Sequence, residues 1–162
     1  AQALINKPYE KDDNYKPMLE MALSRIKQLS AHEVGHTLGF THNFASSVNK
    51  RASVMDYPHP LIKLNEDKID LSDAYSNGIG EWDKVSVAYS YFQFKQENEN
   101  EELQDILKRA SQKGLRFITD KDARAQDGSH IYAHLWDNGE DVIEGLDDIL
   151  DLINLNNLGM LI

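Results

Sequence analysis

The sequence predicts a mainly α-helical fold, because four segments show helical patterns whereas a single short segment is typical of a strand. The longest helical pattern opens at Pro17, and proline is favoured in the first turn of a helix. Apolar residues then recur at helical spacing. They are Leu19, Ala22, Leu23, Ile26 and Leu29. We therefore expect one long helix from about residue 17 into the histidine-rich segment that follows.

The other three helical patterns lie in the second half of the chain. One begins near Glu81 and presents apolar side chains that are expected to pack in the core. Another covers about 101–113 and stops at Gly114, a residue type that often ends helices. The last covers about 140–155 and is amphipathic and rich in aspartate. The chain is therefore expected to end in a helical extension.

Two segments lack a helical pattern. Residues 40–80 have no hydrophobic period and are rich in Asn, Ser, Asp and Pro, so they are expected to form a long loop. A loop of this length is uncommon unless it carries functional residues. Residues 115–119, Leu-Arg-Phe-Ile-Thr, are the one strand candidate.

Residues 32–42 contain three histidines at the spacing that one metal ion requires. His32 and His36 are four residues apart, so on a helix they project from the same face. Gly39 is the residue type best able to adopt positive φ, so it can end the helix and turn the chain. That turn can bring His42 to the same ion from another direction.

The chemistry of this set matches a catalytic zinc site. Three neutral imidazoles leave the fourth tetrahedral position of Zn²⁺ open for water, whereas a structural site is closed by four protein ligands. Glu33 follows the first histidine and is the candidate general base for that water. The competing interpretation is that His32 and His36 are ordinary histidines on a helix surface.

Other third ligands can be compared on the sequence. A site that takes its third ligand from a glutamate on a following helix is disfavoured, because no glutamate lies between Glu33 and Glu66. Asp56 is the only acidic residue in that interval and is the alternative ligand. His42 fits the spacing better.

Downstream, residues 53–58 read Ser-Val-Met-Asp-Tyr-Pro, and with the histidine motif they make the chain resemble the metzincin zinc endopeptidases. The resemblance implies that Met55 forms the methionine turn, a hydrophobic floor beneath the zinc. It also implies that Tyr57 ligates zinc at rest and then hydrogen-bonds the tetrahedral intermediate. The alternatives are a methionine that fills a core gap and a turn tyrosine packed beside Pro58 and Pro60.

A closer resemblance is to the zinc-dependent metalloproteases of large secreted bacterial proteins. It is carried by residues 32–44, 53–58 and 80–85, with a weaker echo at 135–139. The familiar metzincin groups have a characteristic Glu, Asp, Ser or Pro after the third histidine, whereas this chain has Asn43. Their substrate preferences are therefore not transferred to it.

The resemblance also implies a domain organisation. Metzincins carry an upper subdomain before the histidine helix, with a sheet that binds substrate by strand addition. The 31 residues before His32 are too few and too polar to supply it. We therefore expect residues 1–95 to be the lower, zinc-bearing half of a catalytic domain and residues 96–162 to be a helical C-terminal extension. The upper half is expected upstream.

Composition excludes several classes of partner. The net charge of −10 without a clustered basic face argues against nucleic acid and anionic membranes. The chain has no cysteine, so it has neither disulfides nor thiolate ligands. No stretch is apolar enough to span a bilayer, and residues 1–8 lack the plan of a signal peptide. With an export signal expected upstream, the predicted location is extracellular, periplasmic or cell-surface.

The predicted function is zinc-dependent hydrolysis of peptide bonds in a peptide or protein substrate, with Glu33 as base. A non-catalytic zinc-binding or interaction module is the alternative, inert because the upper half is missing. Three further histidines lie outside this motif. His130 and His134 are four apart but lack the rest of the motif, so they are read as structural, with a subsidiary metal site as the alternative. For His59 the favoured interpretation is an exposed loop histidine, and the alternative is a residue that borders the cleft.

Overall fold

The first element of the structure is one long helix that enters the histidine motif. The computed structural model describes residues 16–65, 68–123, 130–133, 136, 139 and 141–157. In chain order the elements are helix α1 (Lys16–Thr37), a 3-10 turn (Ser47–Asn49), strands β1 (Lys63–Asn65) and β2 (Lys68–Asp70), and helices α2 (Glu81–Tyr91), α3 (Glu99–Gln112), α4 (Asp120–Ala123) and α5 (Val142–Asn157). The mainly helical prediction is confirmed.

Helix α1 buries only a narrow stripe. Its buried residues are Gln28, His32 and Gly35, all of which face the loop that follows the helix. Five of its large apolar side chains are 38 to 59% exposed. They are Leu19, Leu23, Ile26, Leu29 and Val34. The apolar residues whose spacing predicted the helix therefore do not lie on the face of α1 that packs against the rest of the described structure.

The long segment from residue 40 to 80 is mostly irregular, as predicted, but contains one small hairpin. Strands β1 and β2 pair antiparallel with Lys63 opposite Asp70 and Leu64 opposite Ile69. Beyond it, the Arg51 guanidinium donates to the carbonyls of Asp73 and Ala74 at 2.9 and 3.2 Å. These bonds hold the loop to itself across more than 20 residues.

Helices α2 and α3 pack against each other and lead to the segment that was predicted as a strand. Helix α3 ends at Gln112, and Gly114, two residues later, has φ +72°. Residues 115–119 then run without forming a strand, so that prediction is wrong. Their backbone groups are hydrogen-bonded to the segment after the histidine motif. Phe44 N–H donates to Ile118 O at 2.8 Å, and the Asn43 side chain forms two more hydrogen bonds with this backbone.

A hydrophobic cluster joins the loop to this C-terminal part of the chain. Phe44 and Ala45 are fully buried, and they pack with Ile118, Ala123 and Ala133. Tyr57 is half-buried against the same cluster. The cluster therefore contains residues from both sides of the boundary predicted at residue 96. The boundary itself stays a prediction.

The apolar side chains of α5 are largely exposed. Those of Ile143, Leu146, Ile149, Leu150 and Ile153 are 45 to 67% exposed. Among the helices that the structure describes, none has the length and hydrophobicity needed to cross a bilayer.

Candidate metal centre

Helix α1 places the first two histidines one turn apart on its buried side. His32 is fully buried, and its ring centroid lies 4.7 Å from that of His36. Residues four apart on a helix face the same direction, which is why the spacing alone predicted this pair. Glu33 follows His32 on the exposed side of α1.

The end of α1 turns the chain back towards these two rings. Gly39 has φ +85°, its N–H donates to His36 O at 2.9 Å, and Phe40 N–H donates to Gly35 O at 3.1 Å. This pair of bonds is the Schellman ending that a glycine after a helix allows. The predicted role of Gly39 in ending the helix is confirmed.

His42 completes a cluster of three imidazoles. Its ring centroid lies 5.3 Å from that of His32 and 4.8 Å from that of His36. One nitrogen of each ring can serve as a ligand atom, and these three atoms lie within 4.8 Å of one another. The structure therefore brings together the three predicted ligands.

Each of the three rings is held through its Nδ1 atom. His32 Nδ1 lies 2.7 Å from Val54 O, His36 Nδ1 lies 2.9 Å from Phe40 O, and His42 Nδ1 lies 2.8 Å from Asp120 Oδ2. Carbonyl oxygens, like carboxylates, only accept, so we assign the proton of each ring to Nδ1. That tautomer leaves the Nε2 lone pair of each ring available as a ligand.

The residues present fit a zinc ion. His32 Nε2 is buried and has no hydrogen-bond partner among the described residues, although buried polar atoms are normally paired. Burial is the main reason that the pKa of His32 lies below its ordinary value. The bond with Val54 opposes this shift, and the neighbouring His36 and His42 add to it. Three neighbouring imidazoles, one of them buried and neutral, form a set of nitrogen ligands that suits zinc.

Met55 packs closely against α1 at Gly35, a residue that lies between the two helical histidines in the sequence. A Cβ atom added at Gly35 would come within 2.2 Å of Met55 Sδ, so the absence of a side chain at Gly35 allows this close approach. Met55 is 3% exposed, and its carbonyl accepts the Asn43 N–H at 2.7 Å. The methionine thus touches the segments that carry all three ligands.

The loop that contains Met55 is held by a buried aspartate that the sequence did not single out. Asp83, in the first turn of α2, accepts hydrogen bonds from the Ser53 hydroxyl at 2.5 Å and from the Val54 and Gly80 N–H groups at 2.9 and 2.6 Å. Val54 in turn offers its carbonyl to His32. Residues 80–85 are one of the segments that carry the resemblance, but the sequence predicts only core packing for the helix that they open.

Tyr57 points into the ligand cluster. Its hydroxyl lies 3.2 Å from His42 Nε2, and its ring centroid is 4.9 Å from those of both His32 and His42. The ring of Trp136 lies 5.6 Å from that of Tyr57 between centroids, and the backbone N–H of Trp136 donates to Tyr57 O at 2.9 Å. The Tyr57 hydroxyl therefore lies beside one of the predicted ligand atoms.

The remaining candidates lie outside the cluster. The carboxylate of Asp56 accepts the Ser46 hydroxyl at 2.6 Å and the Tyr57 N–H at 2.7 Å, and it is not part of the ligand set. His59 is exposed and lies 5.5 Å from Trp136 between ring centroids. His130 accepts the Tyr132 N–H, and His134 is outside the described residues.

Comparison with known proteins agrees with this geometry. The family described as Met-zincin matches residues 14–158, which is most of the 162-residue chain. Comparison with curated proteins and with solved structures gave no match. The match covers most of the chain and shows that the chain belongs to the Met-zincin family. Together with the three-histidine cluster, it supports a metzincin-type zinc metalloprotease.

Proposed function

We propose that this chain carries the zinc-binding half of an endopeptidase that hydrolyses peptide bonds in a peptide or protein substrate. The observation that supports this most directly is the convergence of His32, His36 and His42, each with Nδ1 bonded outward and Nε2 available. Three histidine ligands leave an open position, which is the arrangement of catalytic zinc sites.

His32, His36 and His42 would hold a zinc ion, which would lower the pKa of a bound water to about 7 and polarise a carbonyl oxygen. Glu33 then accepts a proton from the attacking water and delivers it to the leaving amine. Its place on α1, next to His32 and on the exposed side of the helix, leaves the carboxylate accessible to substrate. Glu33 is thus proposed as a proton carrier and not as a ligand.

Tyr57 is proposed to donate a hydrogen bond to the oxygen on which negative charge develops. Its hydroxyl is 3.2 Å from His42 Nε2, so it lies beside the ligand atoms while the half-buried ring stays anchored in the hydrophobic cluster. Donors placed where charge develops stabilise the transition state more than the ground state.

The alternative function is a zinc-binding module without catalysis. The observation in its favour is the exposed apolar side of α1, with Leu19, Ile26 and Val34 at 47, 59 and 55% exposure. Such a surface suits a further unit that covers it, as the upper subdomain expected upstream would. Without that unit this chain would keep its ligands and lack a complete substrate cleft.

The test combines zinc content with activity in Glu33→Gln. Elemental analysis should give about one zinc per molecule both for the unmutated chain, called the parent below, and for its Glu33→Gln variant, because a proton carrier is not a ligand. Hydrolysis of an unfolded protein by the longer parent that includes the upstream unit should fall by roughly 10²-fold or more in Glu33→Gln.

Glu20→Gln is the matched control, because Glu20 is an exposed glutamate on the same helix. It should keep both zinc and activity. Zinc bound by a longer parent that hydrolyses nothing would favour the non-catalytic module. Loss of zinc together with activity in Glu33→Gln would make Glu33 a ligand or a support and contradict its role as base.

A further inference from the structure

The third histidine is held differently from the other two. His32 and His36 bond to backbone carbonyls, whereas His42 Nδ1 lies 2.8 Å from Oδ2 of Asp120, a carboxylate 78 residues further along the chain. The His42 side chain is 19% exposed and that of Asp120 is 48% exposed. Nothing in the spacing of the histidine motif predicts this contact.

The contact does not rest on the two side chains alone. Asn43, the residue after His42, is fully buried, and its amide group binds the backbone on the way to Asp120. Its Nδ2 donates to Arg116 O at 2.9 Å, and its Oδ1 accepts the Ile118 N–H at 3.1 Å. Phe44 N–H adds a bond to Ile118 O at 2.8 Å. We call these three bonds the Asn43 clamp.

The Asn43 clamp ends two residues before Asp120, where α4 begins. Thr119 O accepts the N–H groups of Asp122 and Ala123, at 3.0 and 2.9 Å, so the chain turns there and the Asp120 carboxylate is directed back to His42. Ile118 and Ala123, on either side, are buried in the hydrophobic cluster. The backbone that carries the carboxylate is thus fixed on both sides.

An ordinary surface ion pair between histidine and aspartate would leave the other ring nitrogen facing water. Here His42 Nε2 lies 3.2 Å from the Tyr57 hydroxyl, within the cluster that includes His32 and His36. The carboxylate therefore acts on a ring whose opposite nitrogen is a ligand atom. A carboxylate on Nδ1–H fixes the tautomer and makes the ring a better electron donor.

We propose that Asp120 is a positioning residue of the zinc centre, held by the Asn43 clamp, and that it sets the orientation and ligand strength of His42 without touching the metal. This inference rests on the proposed zinc centre. It assigns a function to a segment that the sequence placed in a C-terminal extension. It also gives Asn43 a physical role at the position where familiar metzincin groups carry other residues.

The first test measures zinc affinity in competition with a chromophoric chelator. Asp120→Ala should weaken zinc binding by about 10- to 100-fold, the range found for such partners of metal-bound histidines. Asp120→Asn should lose less, because its amide oxygen still accepts from Nδ1–H. Asp122→Asn is the control, since Asp122 is an exposed aspartate on the same short helix, and its affinity should equal that of the parent.

The second test uses no metal. In the zinc-free chain, nitrogen-15 NMR of the histidine rings should show the proton of His42 on Nδ1. In Asp120→Ala the proton should move partly or wholly to Nε2, and in Asp120→Asn it should stay on Nδ1. A purely structural role of Asp120 would lower thermal stability but would leave this tautomer unchanged.

The outcomes separate this inference from the proposed function. A parent chain that binds no zinc contradicts both. If the unmutated chain binds zinc, and Asp120→Ala and Asp120→Asn bind it as tightly as the unmutated chain does, only the role of Asp120 is contradicted. If Asp120→Ala does not fold, as judged by circular dichroism, Asp120→Asn decides alone, and unchanged affinity in that variant overturns the proposal.

Discussion

Each histidine of the candidate centre uses its two ring nitrogens for different purposes. Nδ1 is bonded to an acceptor that fixes the ring, and Nε2 is left available as a ligand atom. The acceptors come from three different places: Val54 beside Met55, Phe40 just after α1, and Asp120 at the start of α4. One ligand set therefore depends on the correct placement of three separate segments.

Tyr57→Phe isolates the proposed role of one hydroxyl group. The ring and its packing are kept, and one donor to the developing oxyanion is lost. In the longer parent, kcat should fall by about 10²- to 10³-fold, or about 2.7 to 4 kcal/mol, with KM and zinc content little changed. Steady-state kinetics and elemental analysis measure the three quantities.

Tyr91→Phe is the control for this prediction. The Tyr91 hydroxyl donates to Leu38 O at 2.7 Å and lies outside the ligand cluster. Its loss should change thermal stability slightly and leave kcat near the parent value. If the two variants have the same kcat, Tyr57 has no role in the transition state, and the three-histidine site stands without it.

At this scale the sequence predicted the ligands but not the groups that orient them. His32, His36 and His42 follow from spacing, because their geometry is set by one helix and one glycine turn. The roles of Asp83 and Asp120 do not follow from spacing, because tertiary folding brings these residues to the site. In the sequence they cannot be distinguished from the many exposed acidic residues of this chain. The residue pattern at 80–85 was the one available indication for Asp83.

At the scale of elements, α1 and the start of α2 hold the methionine loop between them. Met55 packs under Gly35 of α1, and Asp83 of α2 binds Ser53 and Val54 from the other side. Gly80, at the N-terminus of α2, lies so close to the loop that an added Cβ would be 2.0 Å from Ala52 O. The close approach at each of these glycines is part of how the loop is positioned.

Gly80→Ala should therefore disturb the loop. Gly80 has φ −84°, which alanine adopts readily, so the effect is purely steric. The clash is with backbone atoms, and the expected loss in the free energy of unfolding is about 1 to 3 kcal/mol, the usual range for overpacking. Because Val54 O holds His32, zinc affinity should fall as well. Denaturant unfolding and chelator competition measure the two effects.

Gly78→Ala serves as the comparison. Gly78 has φ +88° and no heavy atom within 4 Å of an added Cβ, so alanine there costs about 1 to 2 kcal/mol of backbone strain without contact to the loop. Stability should fall, and zinc affinity should not. Equal zinc affinity in Gly80→Ala and the parent would show that the loop and His32 are not coupled.

The sequence predicted the elements unevenly. Helices with a long apolar period or a glycine end were found, with bounds close to those observed for α1, α3 and α5. Residues 115–119 have strand composition but no strand partner, because the Asn43 side chain and Phe44 take their backbone groups. The hairpin of β1 and β2 has three residues per strand, too few for an alternating pattern to be recognised.

At the scale of the whole molecule, one hydrophobic cluster crosses the division that the sequence suggested. Phe44 and Ala45 come from the zinc-bearing part, whereas Ile118, Ala123 and Ala133 come from beyond residue 96. Fully burying a phenylalanine side chain stabilises a fold by about 1.5 to 3 kcal/mol. The buried state of Phe44 depends on that C-terminal contribution, as does the Nδ1 bond of His42.

Truncation tests whether the predicted division describes independent units. A chain of residues 1–95 would lose the cover of Phe44, the partners of Asn43 and the carboxylate on His42, so its zinc affinity should fall by more than about 10-fold. A chain of residues 1–140 would lose only α5, whose apolar side chains are mostly exposed, and should bind zinc like the parent. Chelator competition gives the affinities, and near-ultraviolet circular dichroism reports the packing of aromatic rings. Parent-like affinity and packing in residues 1–95 would instead support a zinc-bearing unit that ends before residue 96 and would make the hydrophobic cluster dispensable for the site.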